Sequence, residues 1–209
     1  CGRALKHTVH LDKVKAEQFV LPIGKKKTHV IGINPSQITT EDLAVSLQPA
    51  ANYVPTDGYS KVAAVERHHN TGKIGVAVAK GYGIRNGAVA SSVSHDSHNI
   101  IVIGDNDRDM ALAVDEIIRT QGGYTVVENG EVFETLPLPI MGLMSDAGFE
   151  SVNETLGRMI KKAHEMGVPA DIEPFITLSF LALPVIPTLR ITPRGLCLLT
   201  AKGPEILQE

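Results

Sequence analysis

Two apolar runs in the chain each border a dense polar segment. Residues 62–65 lead into the first, residues 66–72 (ERHHNTG), and residues 91–99 (SSVSHDSHN) lead into the apolar run 100–103. Together the two segments hold four of the eight histidines. Because an unpaired polar group costs on the order of 1–3 kcal/mol once it is desolvated, a folded domain rarely sets so many beside buried strands without a reason. If this chain takes part in chemistry, we expect that chemistry here.

Short apolar and β-branched runs predict a series of strands. The first polar segment separates two of them and is therefore predicted to be a turn. Asn129-Gly130 between two apolar runs predicts a hairpin, because both central residues of such a turn need positive φ. The predicted strands cover residues 8–11, 28–33, 43–47 at a sheet edge, 62–65, 74–79, 88–93, 124–127 and 132–136.

Two helices stand out by the spacing of their apolar side chains. Apolar positions recur at i, i+3, i+4, i+7 and i+8 from Met110, which predicts a helix over Asp107–Thr120. A second helix is predicted to begin at Ser151, with Glu154 completing a capping box, and to end near Gly167.

The order of these elements indicates the fold class. Residues 175–199 are apolar and interrupted by prolines, which favours strand and irregular core. Strands in runs and hairpins, with only two main helices, predict an α+β fold with a mixed or antiparallel β-sheet rather than a doubly wound one. We expect residues 1–27 to be a linking segment and residues 28–209 to be the α+β domain. Because the chain starts at Cys1 rather than Met, we expect it to be the tail of a longer protein.

The composition narrows the class of protein. Over 209 residues, 43% are hydrophobic and 21% charged, as in a soluble globular protein. A formal charge of −3 and a single block of three lysines argue against a nucleic-acid partner. No apolar run approaches the roughly 20 residues that a membrane helix needs, so no membrane partner is expected. The two cysteines, Cys1 and Cys197, form no CxxC pair, which fits a reducing cytoplasm.

Several kinds of site could use the two polar segments. A self-contained metal site would draw on the histidines, but two histidines spaced i, i+3 converge only on a helix or turn. A Ser-His-Asp triad would need one of the serines beside His95 and Asp96, and the chain has no GxSxG elbow. The metal ligands would come from His68, His69, His95, His98, Glu66 and Asp96, and the candidate nucleophiles would be Ser91, Ser92, Ser94 and Ser97.

Three further interpretations remain open. Gly81, Gly83 and Gly87 could cradle a phosphate, but they precede a strand rather than open a helix, which favours turns. The polar segments could instead line a pocket whose reactive centre lies elsewhere, offering donors and acceptors to a polar ligand. The histidines could also be satisfied core or turn residues.

Five segments in order resemble bacterial and archaeal adenine deaminases. Residues 65–75 (VERHHNTGKIG) and 87–100 (GAVASSVSHDSHNI) are similar to the two histidine motifs of that family. Asn70 stands where the family has glycine, and Ser94 where it usually has alanine. The other three matches are residues 107–110 (DRDM), 136–146 (LPLPIMGLMSD) and 175–187 (FITLSFLALPVIP).

The resemblance implies a hydrolase of the amidohydrolase superfamily, of which this chain is only the C-terminal domain. Such enzymes convert adenine and water to hypoxanthine and ammonia, in purine salvage and adenine catabolism. The family's N-terminal amidohydrolase barrel carries a binuclear manganese or iron site, and its metal-binding motifs have no counterpart here. The resemblance therefore implies no metal bound by this chain and no activity of the 209 residues alone. It also implies a cytoplasmic homo-oligomer.

Under the resemblance, the two polar segments would close over the mouth of the barrel and bind the purine. The alternatives are a non-catalytic module that stabilises the barrel or builds an oligomer interface, and a free-standing metallohydrolase that uses the histidine clusters. The candidate pocket residues are Glu66, His68, His95, Asp96, Ser97 and His98, and the candidate substrate contacts are His95, Asp96, Ser97, His98 and Asn99.

Overall fold

The computed structural model describes residues 5–207 and shows the α+β fold that the sequence predicts. Eleven strands, three α-helices and a short 3-10 helix (Ala16–Phe19) lie within these residues. The strands are β1 (Thr28–Ile33), β2 (Thr40–Val45), β3 (Tyr59–Val65), β4 (Ile74–Lys80), β5 (Gly87–Ser91), β6 (Ile100–Gly104), β7 (Gly123–Glu128), β8 (Glu131–Pro137), β9 (Leu189–Thr192), β10 (Gly195–Thr200) and β11 (Gly203–Ile206). The helices are α1 (Asp107–Thr120), α2 (Phe149–Glu165) and α3 (Pro174–Phe180).

A twisted sheet of eight strands forms the centre of the fold. Its order is β2-β1-β4-β3-β6-β5-β7-β8, and all neighbours are antiparallel except β1 and β4. The edge strand predicted at residues 43–47 lies at Thr40–Val45, on the edge of this sheet. Strands β9, β10 and β11 form a second, smaller antiparallel sheet.

The central strands read as continuous apolar runs because both faces of the sheet are covered. On β3, Val62 and Ala64 face a core shared with α2, α3 and the small sheet, while Ala63 and Val65 face a core shared with α1. Gly75 on β4 allows the small sheet to approach closely, since a Cβ there would lie 2.0 Å from the carbonyl oxygen of Thr192. The sheet is thus a buried layer between two others.

Three local predictions were wrong. Residues 8–11 do not form a strand, although the amide of His10 donates to the carbonyl oxygen of Arg67 at 2.7 Å. Helix α2 begins at Phe149 without a side-chain cap, so the capping box at Ser151 and Glu154 is not formed. Residues 175–199 include the expected strand in β9 and β10, but they begin in helix α3, whose N-terminus is capped by the carboxylate of Glu173.

The remaining predictions concern one helix, one strand, the two cysteines and the absence of a membrane helix. The helix over Asp107–Thr120 and the strand over Thr28–Ile33 are confirmed at the predicted bounds. Cys197 is a buried free cysteine, and Cys1 lies outside the described residues. In residues 5–207, no helix combines the length and apolarity needed to cross a membrane.

Candidate functional site

The two polar segments lie side by side at one end of the sheet. The first, residues 66–72, joins β3 to β4, and the second, residues 91–99, starts in the last residue of β5 and joins it to β6. Strands β3 and β6 are antiparallel neighbours, with Val65 opposite Ile100. We call residues 66–72 and 91–99 together the turn surface.

Buried Arg67 joins the two halves of the turn surface. Its side chain donates from Nε to the carbonyl oxygen of His98, and its backbone amide donates to the side-chain oxygen of Asn99 at 3.2 Å. Its Nη2 donates to the carbonyl oxygen of Met141 at 2.9 Å, and its Nη1 to both oxygens of Thr8. Burial lowers the pKa of Arg67 to about 10. Its partners are neutral oxygens, so Arg67 holds the turns in place and does not face a ligand.

The carboxylate of Glu66 organises the first turn. Its Oε1 accepts from the backbone amides of His68 and His69, at 2.5 and 2.9 Å, and its Oε2 accepts from the amide and hydroxyl of Thr71. Burial raises the pKa of Glu66, but the hydrogen bonds from the Thr71 and His68 amides outweigh it and lower the pKa to about 2. Both carboxylate oxygens of this candidate pocket residue therefore stabilise the backbone of its own turn.

Asn70 stands where the similar family motif has glycine, and it adopts the backbone conformation that the first turn needs. Its φ is +50°, in the left-handed region that asparagine adopts more readily than most residues. Its side chain also exchanges hydrogen bonds with Asp12, from Nδ2 to Oδ2 at 3.0 Å and from the Asp12 amide to Oδ1 at 3.3 Å. The substitution therefore ties the turn to the N-terminal segment.

His95 and His98 converge at the base of the second turn. Their rings lie 5.5 Å apart, and the His95 ring packs 5.0 Å from that of Phe180 on α3. The amide of Ser94 donates to Nδ1 of His98 at 3.3 Å, which requires an unprotonated Nδ1. Burial lowers the pKa of His98, and the nearby charges of His95 and Arg67 lower it further. His98 is thus a neutral, half-buried ring.

Asp96 and Ser97 form the exposed tip of the turn surface. The Asp96 side chain is 84% exposed, and its carboxylate lies 4.0 Å from Nδ1 of His95. The ring of His68 supports this tip from the first turn, since its Nε2 lies 2.7 Å from the carbonyl oxygen of Ser97. Asn99 is buried and donates to the Ser97 hydroxyl at 3.1 Å. Of the predicted site residues, Asp96 and Ser97 are therefore the best placed to meet a ligand.

A groove runs along the turn surface. One part, of about 270 Å³, has Asp96, Ser97 and Asn99 on its polar side and residues 182–185 on its apolar side. It is continued by a wider part of about 490 Å³ that also touches His69 and Lys73. Asn99, Pro184, Thr192 and Pro193 line both parts. The groove thus combines one polar wall with one apolar wall.

A second buried arginine fixes the apolar wall. Arg190 donates to the carbonyl oxygens of Ile186 at 2.8 Å, Phe180 at 3.1 Å, Pro187 at 2.7 Å and Ile38 at 2.7 Å. Burial lowers its pKa to about 10. Sequence reasoning missed both buried arginines, because nothing in the sequence marks an arginine whose partners are distant carbonyl groups.

The structure can be compared with the three other interpretations of the sequence: a metal site, a Ser-His-Asp triad and a phosphate-binding glycine loop. Across residues 5–207, no group of three or more histidine, cysteine or acidic side chains is arranged to hold a metal ion. The hydroxyls of Ser91 and Ser92 bond to the main chain, at Val93 O and Gly142 O, and that of Ser94 is buried with no partner in the described part of the chain. Gly81 and Gly83 have positive φ, as turn glycines do.

Comparison with known proteins identifies the family. The model of the family described as the adenine deaminase C-terminal domain matches residues 37–202. The chain belongs to this family. It is 50% identical over 198 residues to an adenine deaminase of Desulfitobacterium hafniense (strain Y51), covering 94% of this chain and 35% of that protein. It is 48% identical over 196 residues to an adenine deaminase of Nitratidesulfovibrio vulgaris (strain DP4), covering 92% of this chain and 34% of that protein.

A third relative extends the same pattern. The chain is 42% identical over 197 residues to adenine deaminase 2 of Carboxydothermus hydrogenoformans (strain ATCC BAA-161 / DSM 6008 / Z-2901), covering 93% of this chain and 35% of that protein. The chain thus spans about a third of the length of the curated relatives that it matches. Because the matched family is a C-terminal domain, these relatives carry a further N-terminal domain.

Proposed function

We propose that this chain is the C-terminal domain of an enzyme that hydrolyses adenine to hypoxanthine and ammonia, and that its turn surface completes the purine pocket. Membership of the family supports the reaction class. The observation that carries the pocket role is the pairing of an exposed Asp96–Ser97 tip with a buried, hydrogen-bonded base. Because these hydrogen bonds already order the tip, ligand binding there carries little additional cost in conformational entropy.

The side chains at the tip suit the edge of a purine. A carboxylate accepts hydrogen bonds from amino or ring N–H groups, and a hydroxyl can donate to a ring nitrogen. Asp96 would accept from the purine, and Ser97 would donate to it. His95 lies beside Asp96, and imidazole is the side chain that most often moves protons in enzymes. Closure of the turn surface over the base would also exclude water, which strengthens each of these contacts.

The metal that the family implies does not fit the residues of this chain. Among residues 5–207 no three histidine, cysteine or acidic side chains come together as ligands, and Nδ1 of His98 accepts from the Ser94 amide, so Nε2 of the neutral ring carries the proton and offers no lone pair. We propose that a manganese or iron pair lies in the N-terminal domain of the complete enzyme, where it would supply a hydroxide near neutral pH. The role of the turn surface is to bind and enclose the base.

Kinetics of the complete enzyme test the pocket role. We expect Asp96→Asn and His95→Ala each to lower kcat/KM for adenine by about tenfold or more, since the loss of one good hydrogen bond in the transition state is worth roughly 1.4 kcal/mol. His98→Ala tests the support beneath the tip in the same assay. His29→Ala is the matched control, because His29 lies on β1 and pairs with Asp42 at 2.9 Å, away from the turn surface.

The same variants distinguish the pocket role from a role of the turn surface in oligomerisation. Light scattering of the purified enzymes reports their oligomeric state. If His95→Ala, Asp96→Asn and His98→Ala all keep the wild-type kcat/KM, the pocket role is wrong. If they also change the oligomeric state, the turn surface belongs to a subunit interface.

A further inference from the structure

The turn at residues 140–144 displays two methionines to solvent. Ile140 and Met144 pair as an antiparallel bridge, with N–O distances of 3.1 Å in both directions. Met141 is 43% exposed and Met144 is 52% exposed. Methionine adapts its shape to a partner and is enriched at protein interfaces, so two exposed methionines on one tight turn indicate a contact surface.

This turn is anchored firmly from beneath. The Ser92 hydroxyl donates to the carbonyl oxygen of Gly142 at 2.6 Å, and Arg67 Nη2 donates to that of Met141 at 2.9 Å. Met141 has a φ of +60°, a left-handed conformation that costs an ordinary residue about 1–2 kcal/mol. The backbone of Met141 thus keeps an unfavourable conformation although its apolar side chain is exposed to solvent.

The N-terminal end of the described chain lies on the same surface. The amide of Met141 donates to the carbonyl oxygen of Leu5 at 2.7 Å, and Lys6 forms an ion pair with Asp146. Leu5 is itself 39% exposed. We call Leu5, Met141 and Met144 the methionine surface. The described chain therefore begins at this surface.

We propose that the methionine surface docks against the N-terminal domain of the complete protein. The relatives carry about two thirds of their length outside the matched region, and the matched family is a C-terminal domain. A domain on the same chain meets this surface as an intramolecular partner, so even a small apolar contact can form. The inference rests on the proposed position of this chain after an N-terminal domain and does not require contact with the purine.

The test replaces the two methionines in the complete protein. In Met141→Ser/Met144→Ser we expect limited proteolysis to cleave the segment before Leu5 at least about tenfold faster than in the wild type. We also expect thermal unfolding to change from one transition to two. Val54→Ser is the matched control, since Val54 is 71% exposed outside this surface. Hydrogen exchange of the α1 amides verifies that the double variant remains folded.

Three outcomes decide the inference. Faster cleavage in the double variant, with wild-type behaviour of the control, supports it. Wild-type cleavage and unfolding in the double variant overturn it, as does a loss of oligomers with an unchanged cleavage rate, which would make a second copy the partner. If Asp96→Asn lowers kcat/KM while the double variant behaves as wild type, the proposed function stands and this inference fails.

Discussion

The Nε of Arg67 donates to the backbone carbonyl oxygen of His98, which bonds one polar turn to the other beneath their exposed tip. The same guanidinium reaches Met141 and Thr8, so four separate segments of the chain meet at one buried cation. An arginine suits this position because its donors spread in a planar fork and it keeps its charge at neutral pH. The position of Asp96 and Ser97 thus depends on Arg67, whose described hydrogen bonds go to other groups.

Removal of the Arg67 guanidinium is expected to destabilise the whole fold. Arg67→Met leaves several buried carbonyl groups without a donor, and we expect a loss of about 3 kcal/mol or more in the free energy of unfolding. Urea denaturation measures it. Arg194→Met is the control, because Arg194 is exposed and a surface substitution should change the free energy by less than about 0.5 kcal/mol. Equal effects of the two variants would contradict the role of Arg67.

A methyl group at Gly142 is expected to displace the same arginine. A Cβ there would lie 2.6 Å from Arg67 Nη1, and the φ of +72° is unfavourable for any residue with a Cβ. We expect Gly142→Ala to cost about 1–3 kcal/mol. Gly157→Ala in α2 is its counterpart, because nothing lies within 4 Å of the new Cβ. It should stabilise the protein by roughly 0.5–1 kcal/mol, since alanine favours the helix more than glycine does. Thermal unfolding of both variants shows whether the signs are opposite.

The Glu66 carboxylate should make a pH-dependent contribution to stability. Its pKa is about 2 in the folded chain against the usual 4.5, so the charged form is the stabilised one. Its contribution is therefore complete above about pH 4.5 and is lost as the pH falls towards 2. We expect Glu66→Gln to cost about 1–2 kcal/mol at pH 7, and the gap to the wild type to narrow by pH 3. A gap that stays constant from pH 7 to pH 3 would exclude this role.

The apolar wall of the groove should depend on Arg190. We expect Arg190→Met to loosen the segment from Phe180 to Pro187, whose carbonyl groups lose their buried donor. Hydrogen exchange in this segment should become faster, and the free energy of unfolding should fall by about 3 kcal/mol. Unchanged exchange at these amides would mean that other contacts hold the wall.

Much of the layout could be predicted because the local signals were strong. Helix α1 has the helical apolar period, and Asn106, a residue type that favours the N-cap, accepts there from the amide of Asp109. The Asn129-Gly130 turn has positive φ at both residues, as its sequence predicts. Helix α3 was missed because it has only seven residues, five of them apolar, and so short a run shows no clear amphipathic period.

The site itself could be predicted only in part. The sequence marked both polar turns, but their meeting depends on the pairing of β3 with β6, which no local pattern reveals. The roles of the residues within the turns depend on burial. Glu66 and His98 resemble catalytic groups in the sequence, yet the structure engages them in hydrogen bonds of the turns, while Asp96 points into solvent.

The most direct test of the turn surface is hydrogen exchange in the complete enzyme, with and without hypoxanthine. If the turn surface closes over the purine, the backbone amides of residues 94–99 should exchange more slowly in the complex, because a ligand that binds the ordered turn suppresses its opening. The amides of β1 serve as an internal reference and should not change. Slower exchange confined to the N-terminal domain, with residues 94–99 unchanged at saturating hypoxanthine, would contradict the central claim.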